Sequence, residues 1–174
     1  MTDWIELAIT RQHERDAFDC GVPDLNQYLR RYARQNHDDG IAKTYVLSPV
    51  ADPTRVVGYY SVRAGQIEST VLPPLLRRGI PRYPIGVICL ARLAVDLPLQ
   101  GKGVGQDLLT LAARRAISIA ADVGVVGIDA HAIDARAAAW YERQGALPLL
   151  DDPLHLFFSL ASLEAAITAS GEWP

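Results

Sequence analysis

The chain has 174 residues, 49% of them hydrophobic and 21% charged, with a formal net charge of −3 and two cysteines. That length suits a single globular domain, 1–174, with a core of its own. No apolar run reaches the roughly 20 residues of a membrane-spanning helix, the acidic opening "MTDWIELAITRQHERD" lacks a signal-peptide pattern, and the negative balance argues against indiscriminate nucleic-acid binding. A cytoplasmic protein without membrane contact is expected. Cys20 and Cys89 are far apart and form no CxxC pair, so neither a disulfide framework nor a bound metal is expected, and Cys89 within "VICLARLAV" reads as a buried thiol.

In chain order, "WIELAIT" alternates as an opening strand does, and Val22 to Asn36 has helical spacing of Leu25, Tyr28, Leu29 and Tyr32. After "HDDG", two strand-like runs, "KTYVLSP" and "RVVGYYSVRAGQI", flank a turn punctuated by Pro49, Asp52 and Pro53. "STVLPPLLRRGIPRYP" is broken by proline and predicts irregular chain with a short helical turn. "IGVICLARLAVD" is nearly continuous in its apolar residues, as a strand covered on both faces is. A glycine-rich loop follows, then a helix from about Gly105 to Ala121 with Leu108, Leu109, Ala112, Ala116, Ile119 and Ala120 on one stripe. "GVVGIDAHA" predicts a strand. "DARAAAWYERQG" predicts a helix with Asp134 as N-cap and Gly145 as its stop. "LHLFFSL" predicts a closing strand and "SLEAAITAS" a terminal helix. The order β-α-β-β-(irregular)-β-α-β-α-β is that of a mixed α/β domain.

Fifteen of the 17 basic residues are Arg. Arg30, Arg31 and Arg34 fall in "LRRYARQ", and Arg77, Arg78 and Arg82 in "LLRRGIPRYP". Two readings stand: solvated clusters, or local anion-binding patches, since the guanidinium fork matches phosphate oxygens.

In "LAVDLPLQGKGVGQDLL", Gly101, Gly103 and Gly105 alternate at the start of the helix. Bare backbone N–H groups there make a phosphate cradle. A Walker A loop is excluded, because Lys102 lies between two glycines and no Ser or Thr follows it. A dinucleotide fingerprint requires GxGxxG where this chain has GxGxG, although Asp129 lies at the spacing of a ribose-binding acid. A turn that binds nothing is the remaining simple reading, at a cost in backbone entropy.

Gln100-Gly101-Lys102-Gly103-Val104-Gly105 resembles the Q/R-x-x-G-x-G/A signature of the GNAT N-acetyltransferase superfamily. The resemblance implies an α+β fold with a mixed, mostly antiparallel sheet, splayed central strands and flanking helices. It implies acetyl-coenzyme A as co-substrate, with its pyrophosphate on this loop and a cofactor-binding core at about 86–145. "ARLAVD" is similar to the superfamily's central strand, which implies that the backbone of Leu93, Ala94 and Val95 holds pantetheine as an added strand. "DARAAAWYERQGA" resembles the N-x-x-A-x-x-x-Y-E-x-x-G-F segment: Tyr141 falls on the tyrosine, Ala137 on the small residue one turn earlier and Gly145 on the glycine. Tyr141 is thereby implied as the acid that protonates the departing coenzyme A thiolate. Asp134 stands where Asn is common and Ala146 where Phe is, which leaves open whether Asp134 touches the cofactor.

The superfamily match covers about 40 to 160. "FDCGVPDLNQYLRRYARQ" resembles the F-x-C-G-x-x-x-L-x-x-Y-L opening of acetyltransferase toxins from bacterial toxin–antitoxin modules, and "VVGYYSVRAGQI" and "LPPLLRRGIPRYPIGVICLARLAVD" extend that similarity over nearly the whole chain. It implies acetylation of the α-amino group of aminoacyl-tRNA, a block of translation, a ribbon-helix-helix antitoxin and a homodimer. An α-amine with reference pKa near 7.7 needs no strong general base; His131 is a candidate for that role or a structural residue. Arg77, Arg78 and Arg82 are then candidate tRNA contacts, and Arg92 either joins them or forms a structural ion pair. An acetyltransferase for a small amine or a protein N-terminus, and a cofactor-binding module without turnover, are the alternatives.

Overall fold

The computed structural model describes residues 3–169. Ser170, where the terminal helix was expected to end, lies outside them. Among the described residues, seven strands form one sheet in the order β1-β2-β3-β4-β5-β7-β6. The chain divides into two compact units, one of residues up to Arg63 with Ala91–Leu109, the other of Ala64–Leu90 with the residues from Thr110 onward.

The first unit begins with β1 (Trp4–Ala8), followed by α1 (Pro23–Arg31) and α2 (Ala33–Asp38). Proline at the first helical position and Asp24 in the first turn start α1 as the rules of helix termini require. One continuous helix to Asn36 was expected; instead the backbone of Tyr32 (φ −117°, ψ −33°) separates two helices. The break lets Ala33 be wholly buried while Tyr32 stays half exposed. β2 (Lys43–Pro49) pairs antiparallel with β1, from Trp4↔Pro49 to Ala8↔Tyr45, and with the start of β3 (Gly58–Ile67). The core here is Ile9, Phe18, Leu29, Val46, Tyr59 and Ala94. Phe18 meets Tyr59 edge-on at 5.6 Å, and the Tyr59 hydroxyl donates to the Leu25 carbonyl at 2.7 Å.

In the second unit β3 finishes and a 3-10 turn (Ser69–Val71) leads to α3 (Pro74–Arg77), the helical turn expected inside the proline-broken stretch. β4 (Ile85–Val95) starts here and ends in the first unit; likewise α4 (Val104–Ala120) starts in the first and ends in the second. β5 (Gly127–His131) pairs parallel with β4 at Ile88↔Ile128 and Cys89↔Asp129, after which β4 runs on to Val95. α5 (Ala135–Arg143), β6 (Leu147–Pro148), β7 (His155–Ser159) and α6 (Leu160–Ala169) complete the chain. β7 is antiparallel to both β5 and β6. A Cβ at Gly127 would run into the Phe158 carbonyl and the Phe157 ring, so the close β5–β7 approach requires glycine. The core is Ile67, Leu72, Ile85, Val87, Leu149 and Phe157. Cys89 and Cys20 are both buried and neither is in a disulfide. Of the expected α4 stripe, Leu108, Leu109, Ala112 and Ala116 are buried, whereas Ile119 and Ala120 at its end are half-buried. Among the described residues no helix is long and apolar enough to cross a membrane.

Candidate active site

The glycine loop is tied to the end of β4 by polar groups of the first unit. The Asp96 backbone N–H donates to the Val57 carbonyl (2.9 Å), and its Oδ1 accepts from the Asp19 N–H (3.0 Å). Leu97 N–H returns to the Asp19 carbonyl at 2.8 Å. Asp19 Oδ1 accepts from Gly21 N–H and Asn26 Nδ2, each at 2.8 Å, and Asn26 Oδ1 accepts from Cys20 N–H at 2.9 Å. Those donors, Gly21 first and then Asn26, hold the Asp19 carboxyl below the usual carboxylate range. Gln100 Nε2 donates to the carbonyls of Cys20 and Val95, both at 2.9 Å. Its amide nitrogen therefore fastens the loop to the protein's own backbone.

Beyond this tether, Gly101 (φ +74°) and Gly103 (φ +88°) take left-handed conformations, with exposed Lys102 between them. No heavy atom lies within 4 Å of where a Cβ would stand at either glycine. α4 then starts at buried Val104, and Asp107 N–H bonds back to the Gly103 carbonyl at 3.1 Å. Gly105 lies in the first turn of that helix, whose leading N–H groups have no intrahelical acceptor. Left-handed residues before such a turn form an anion-binding concavity.

Of the three strand residues expected to meet pantetheine, Ala94 is buried in the core, and Leu93 and Val95 are half-buried. Arg92 is half-buried, its guanidinium carbon 3.5 Å over the ring of Tyr28. The Tyr28 ring in turn stacks with Tyr59 at 6.4 Å and Tyr32 at 6.5 Å.

In the second unit Asp134 caps α5, its Oδ1 accepting from Ala137 N–H at 2.8 Å, and Gly145 ends the helix in the left-handed region (φ +104°). Replacing Asp134 by Ala is expected to lower stability by about 1 kcal/mol, read as the shift of a urea unfolding midpoint at constant slope. Tyr141 is 8% exposed, edge-on to Trp140 at 5.1 Å and to Phe158 at 6.3 Å. Burial pushes its phenol up to about 12, and no hydrogen bond to its hydroxyl forms among the described residues. Ala137, half-buried, lies one helical turn earlier.

The Arg cluster before β4 divides. Arg77 braces its own segment, with Nε on the Leu72 carbonyl and Nη2 on the Thr70 carbonyl, both at 2.9 Å. Arg78 and Arg82 are exposed on either side of left-handed Gly79, near exposed Leu75 and Tyr83. In the earlier cluster Arg30 donates to the Phe18 carbonyl at 2.8 Å and Arg34 pairs with Asp38 at 3.0 Å. Asp129, which a dinucleotide reading sets on a ribose, is buried and bonded to His155 at 2.8 Å. His131 ends β5 with its ring against His155.

The tether of Asp19, Asn26, Asp96 and Gln100 was not foreseen. Its one sequence signal is that polar residues of "FDCGVPDLN" and the Asp closing the apolar run "ARLAVD" stand in otherwise apolar surroundings.

No protein-family model matches the chain. The tRNA-acetylating toxin of Mycobacterium tuberculosis strain H37Rv is 36% identical over 151 residues, 87% of this chain and 89% of that one. The structure of AtaT complexed with acetyl-methionyl-tRNAfMet superposes with a TM-score of 0.88 at 29% identity, covering 95% of this chain and 99% of that one. A Tyr-to-Phe mutant of AtaT bound to the C-terminus of the antitoxin AtaR and acetyl-CoA gives 0.80 at 27%, covering 95% and 99%. The mostly antiparallel sheet with flanking helices is theirs as well. With 36% identity to the mycobacterial toxin over 151 aligned residues, the chain is an N-acetyltransferase and belongs to the tRNA-acetylating toxins of the GNAT superfamily.

Proposed function

We propose that the chain moves the acetyl group of acetyl-coenzyme A to the α-amino group of an aminoacyl-tRNA in the cytoplasm, so blocking translation, and that it works as a homodimer neutralised by a ribbon-helix-helix antitoxin. The observation that carries this reading is the Tyr141 phenol: buried, with no hydrogen bond to its hydroxyl among the described residues, and raised by burial to about 12. The AtaT complexes with an acetylated aminoacyl-tRNA and with acetyl-CoA and antitoxin support it.

In this reading Gly101, Lys102, Gly103, Val104 and Gly105 receive the pyrophosphate, with Gln100 and Asp134 serving through the backbone they fix and Ala137 leaving room beside Tyr141. The backbone of Leu93, Ala94 and Val95 pairs with pantetheine. The neutral α-amine attacks the thioester carbonyl, and the tetrahedral intermediate collapses by breaking its C–S bond. A phenol at about 12 facing a thiolate whose conjugate acid is near 8.5 makes complete transfer uphill by about 5 kcal/mol. Tyr141 therefore delivers its proton while the bond is breaking and sulfur is still gaining charge, and is reprotonated as the new amide loses a proton from nitrogen.

Arg78 and Arg82, with Arg92 on its tyrosine seat, meet tRNA phosphates; Arg77 holds the segment in shape. Incubation of labelled acetyl-coenzyme A with charged total tRNA should label aminoacyl-tRNA, and absence of label there defeats the proposal. Arg78→Ala with Arg82→Ala should weaken tRNA binding and flatten the slope of log affinity against log salt by about 1.5. An acceptor that is a small amine predicts indifference to both arginines.

A further inference from the structure

The carboxyl end of β5 holds a cluster of titratable side chains that acetyl transfer does not use. Asp129 and His131 lie two residues apart on β5, hence on one face of the strand. His155, at the start of β7, is the cross-strand partner of His131. One ligand atom from each of the three lies within 4.8 Å of the others.

We propose that Asp129, His131 and His155 form a binding site for one divalent transition-metal ion of the zinc class. Two imidazoles and one carboxylate are a borderline-soft nitrogen and oxygen set suited to zinc and its neighbours, not to calcium or magnesium. His155 Nε2 points at Asp129 Oδ2 at 2.8 Å, and His155 Nδ1 is bonded to Asp151 Oδ2 at 2.9 Å. Metal-ligating histidines carry such a carboxylate on the far nitrogen, which fixes the ring and raises its basicity. A second observation is independent of that geometry: Asp129 Oδ1, in a residue 5% exposed, is fully buried with no hydrogen-bond partner among the described residues. A buried, unpartnered carboxylate oxygen is costly unless a cation or donor meets it.

Without metal, a hydrogen bond joins His155 Nε2 and Asp129 Oδ2 directly, and the His131 ring stacks on His155 at 3.9 Å with 17° between planes. Stacked rings cannot both aim a lone pair at one ion. The exposed His131 swings about its χ1 to bring its nitrogen to the metal, the His155–Asp129 proton is released, and water completes four-coordination. The ion then ties β5 to β7 directly before the segment that leads into α5.

Tag-free protein, stripped with chelator, is titrated with ZnCl2 by calorimetry and with CoCl2 by visible absorption. One equivalent should bind with a dissociation constant on the order of 1 μM or below, protons should be released, and tetrahedral cobalt bands should grow in. His131→Ala, at an exposed position, should abolish saturable binding without loss of fold by circular dichroism. Asp151→Asn should weaken binding about tenfold or more. Cys20→Ser and Cys89→Ser should leave it unchanged, since neither thiol belongs to the cluster. No uptake at about 100 μM zinc, or binding by His131→Ala equal to that of the parent, overturns the proposal and leaves the cluster an ion-paired histidine.

Discussion

Tyr141→Phe is expected to lower kcat by about 100-fold or more, the range of a positioned general acid, while KM for acetyl-coenzyme A and thermal stability stay nearly unchanged. The separation follows from the packing. Tyr141 is held by its ring against Trp140 and Phe158, and Phe preserves both contacts. The hydroxyl is bonded to no described protein group, so its removal orphans no buried partner. What disappears is the proton donor. The pH profile adds a check with a definite sign: burial raises the phenol to about 12, so the acid form persists up to that pH. An acid limb from the α-amine, near 7.7 by reference, is expected below neutrality of the amine, whereas no alkaline fall below about pH 11 comes from Tyr141. In cells, induction of the Phe variant should leave translation running. Single-turnover rates with acetyl-aminoacyl-tRNA formation as readout measure the loss directly; a variant that turns over normally removes Tyr141 from the chemistry.

The strands of this fold were legible where one physical pattern dominated. β4 announces itself through a continuous apolar run, and α5 through an Asp cap and a Gly stop that the structure realises with an Asp134–Ala137 bond and a left-handed Gly145. β6 was not legible. Two residues, Leu147 and Pro148, carry no period, and their pairing with β7 is a tertiary event. The break at Tyr32 was hidden for a related reason. Helical spacing continues through it, and only the burial of Ala33 redirects the chain.

Side-chain roles followed the same division. Positions defined by backbone chemistry, the glycine pair and the α5 cap, could be read from local spacing. Long-range partners could not: Gln100 bonds to a carbonyl 80 residues away, and Asp96 to an amide 77 away. Arg77 and Arg78 are neighbours with identical side chains and both are exposed, yet Arg77 is fixed to two carbonyls of its own segment. His131 and His155 stand 24 residues apart and meet only through the β5–β7 register, which is why spacing rules for metal ligands gave no signal there.

Gly103→Val is expected to raise the dissociation constant of acetyl-coenzyme A by about 30-fold or more, with kcat at saturation changed far less. At φ +88° a β-branched residue is a conformational outlier, with a penalty of at least 1–2 kcal/mol. The loop relieves that strain by turning the peptide, and the N–H groups presented before α4 turn with it. Each charge-assisted bond lost from such a donor is worth about 1.5–3 kcal/mol, and every 1.4 kcal/mol is tenfold in affinity. Protein packing does not confuse the measurement, because no heavy atom lies within 4 Å of where the Cβ would stand. Gly101→Val, at φ +74° with the same open surroundings, should behave alike. Gln100→Ala tests the tether separately: it removes the bonds to Cys20 and Val95 without altering any φ preference, so it should weaken binding less than either glycine change. Calorimetric titration with acetyl-coenzyme A and with desulfo-coenzyme A reads all three. Parent-like affinity in Gly103→Val would mean that the pyrophosphate lies elsewhere. A loss in affinity there, set against a loss confined to kcat in Tyr141→Phe, separates binding of the donor from its reaction.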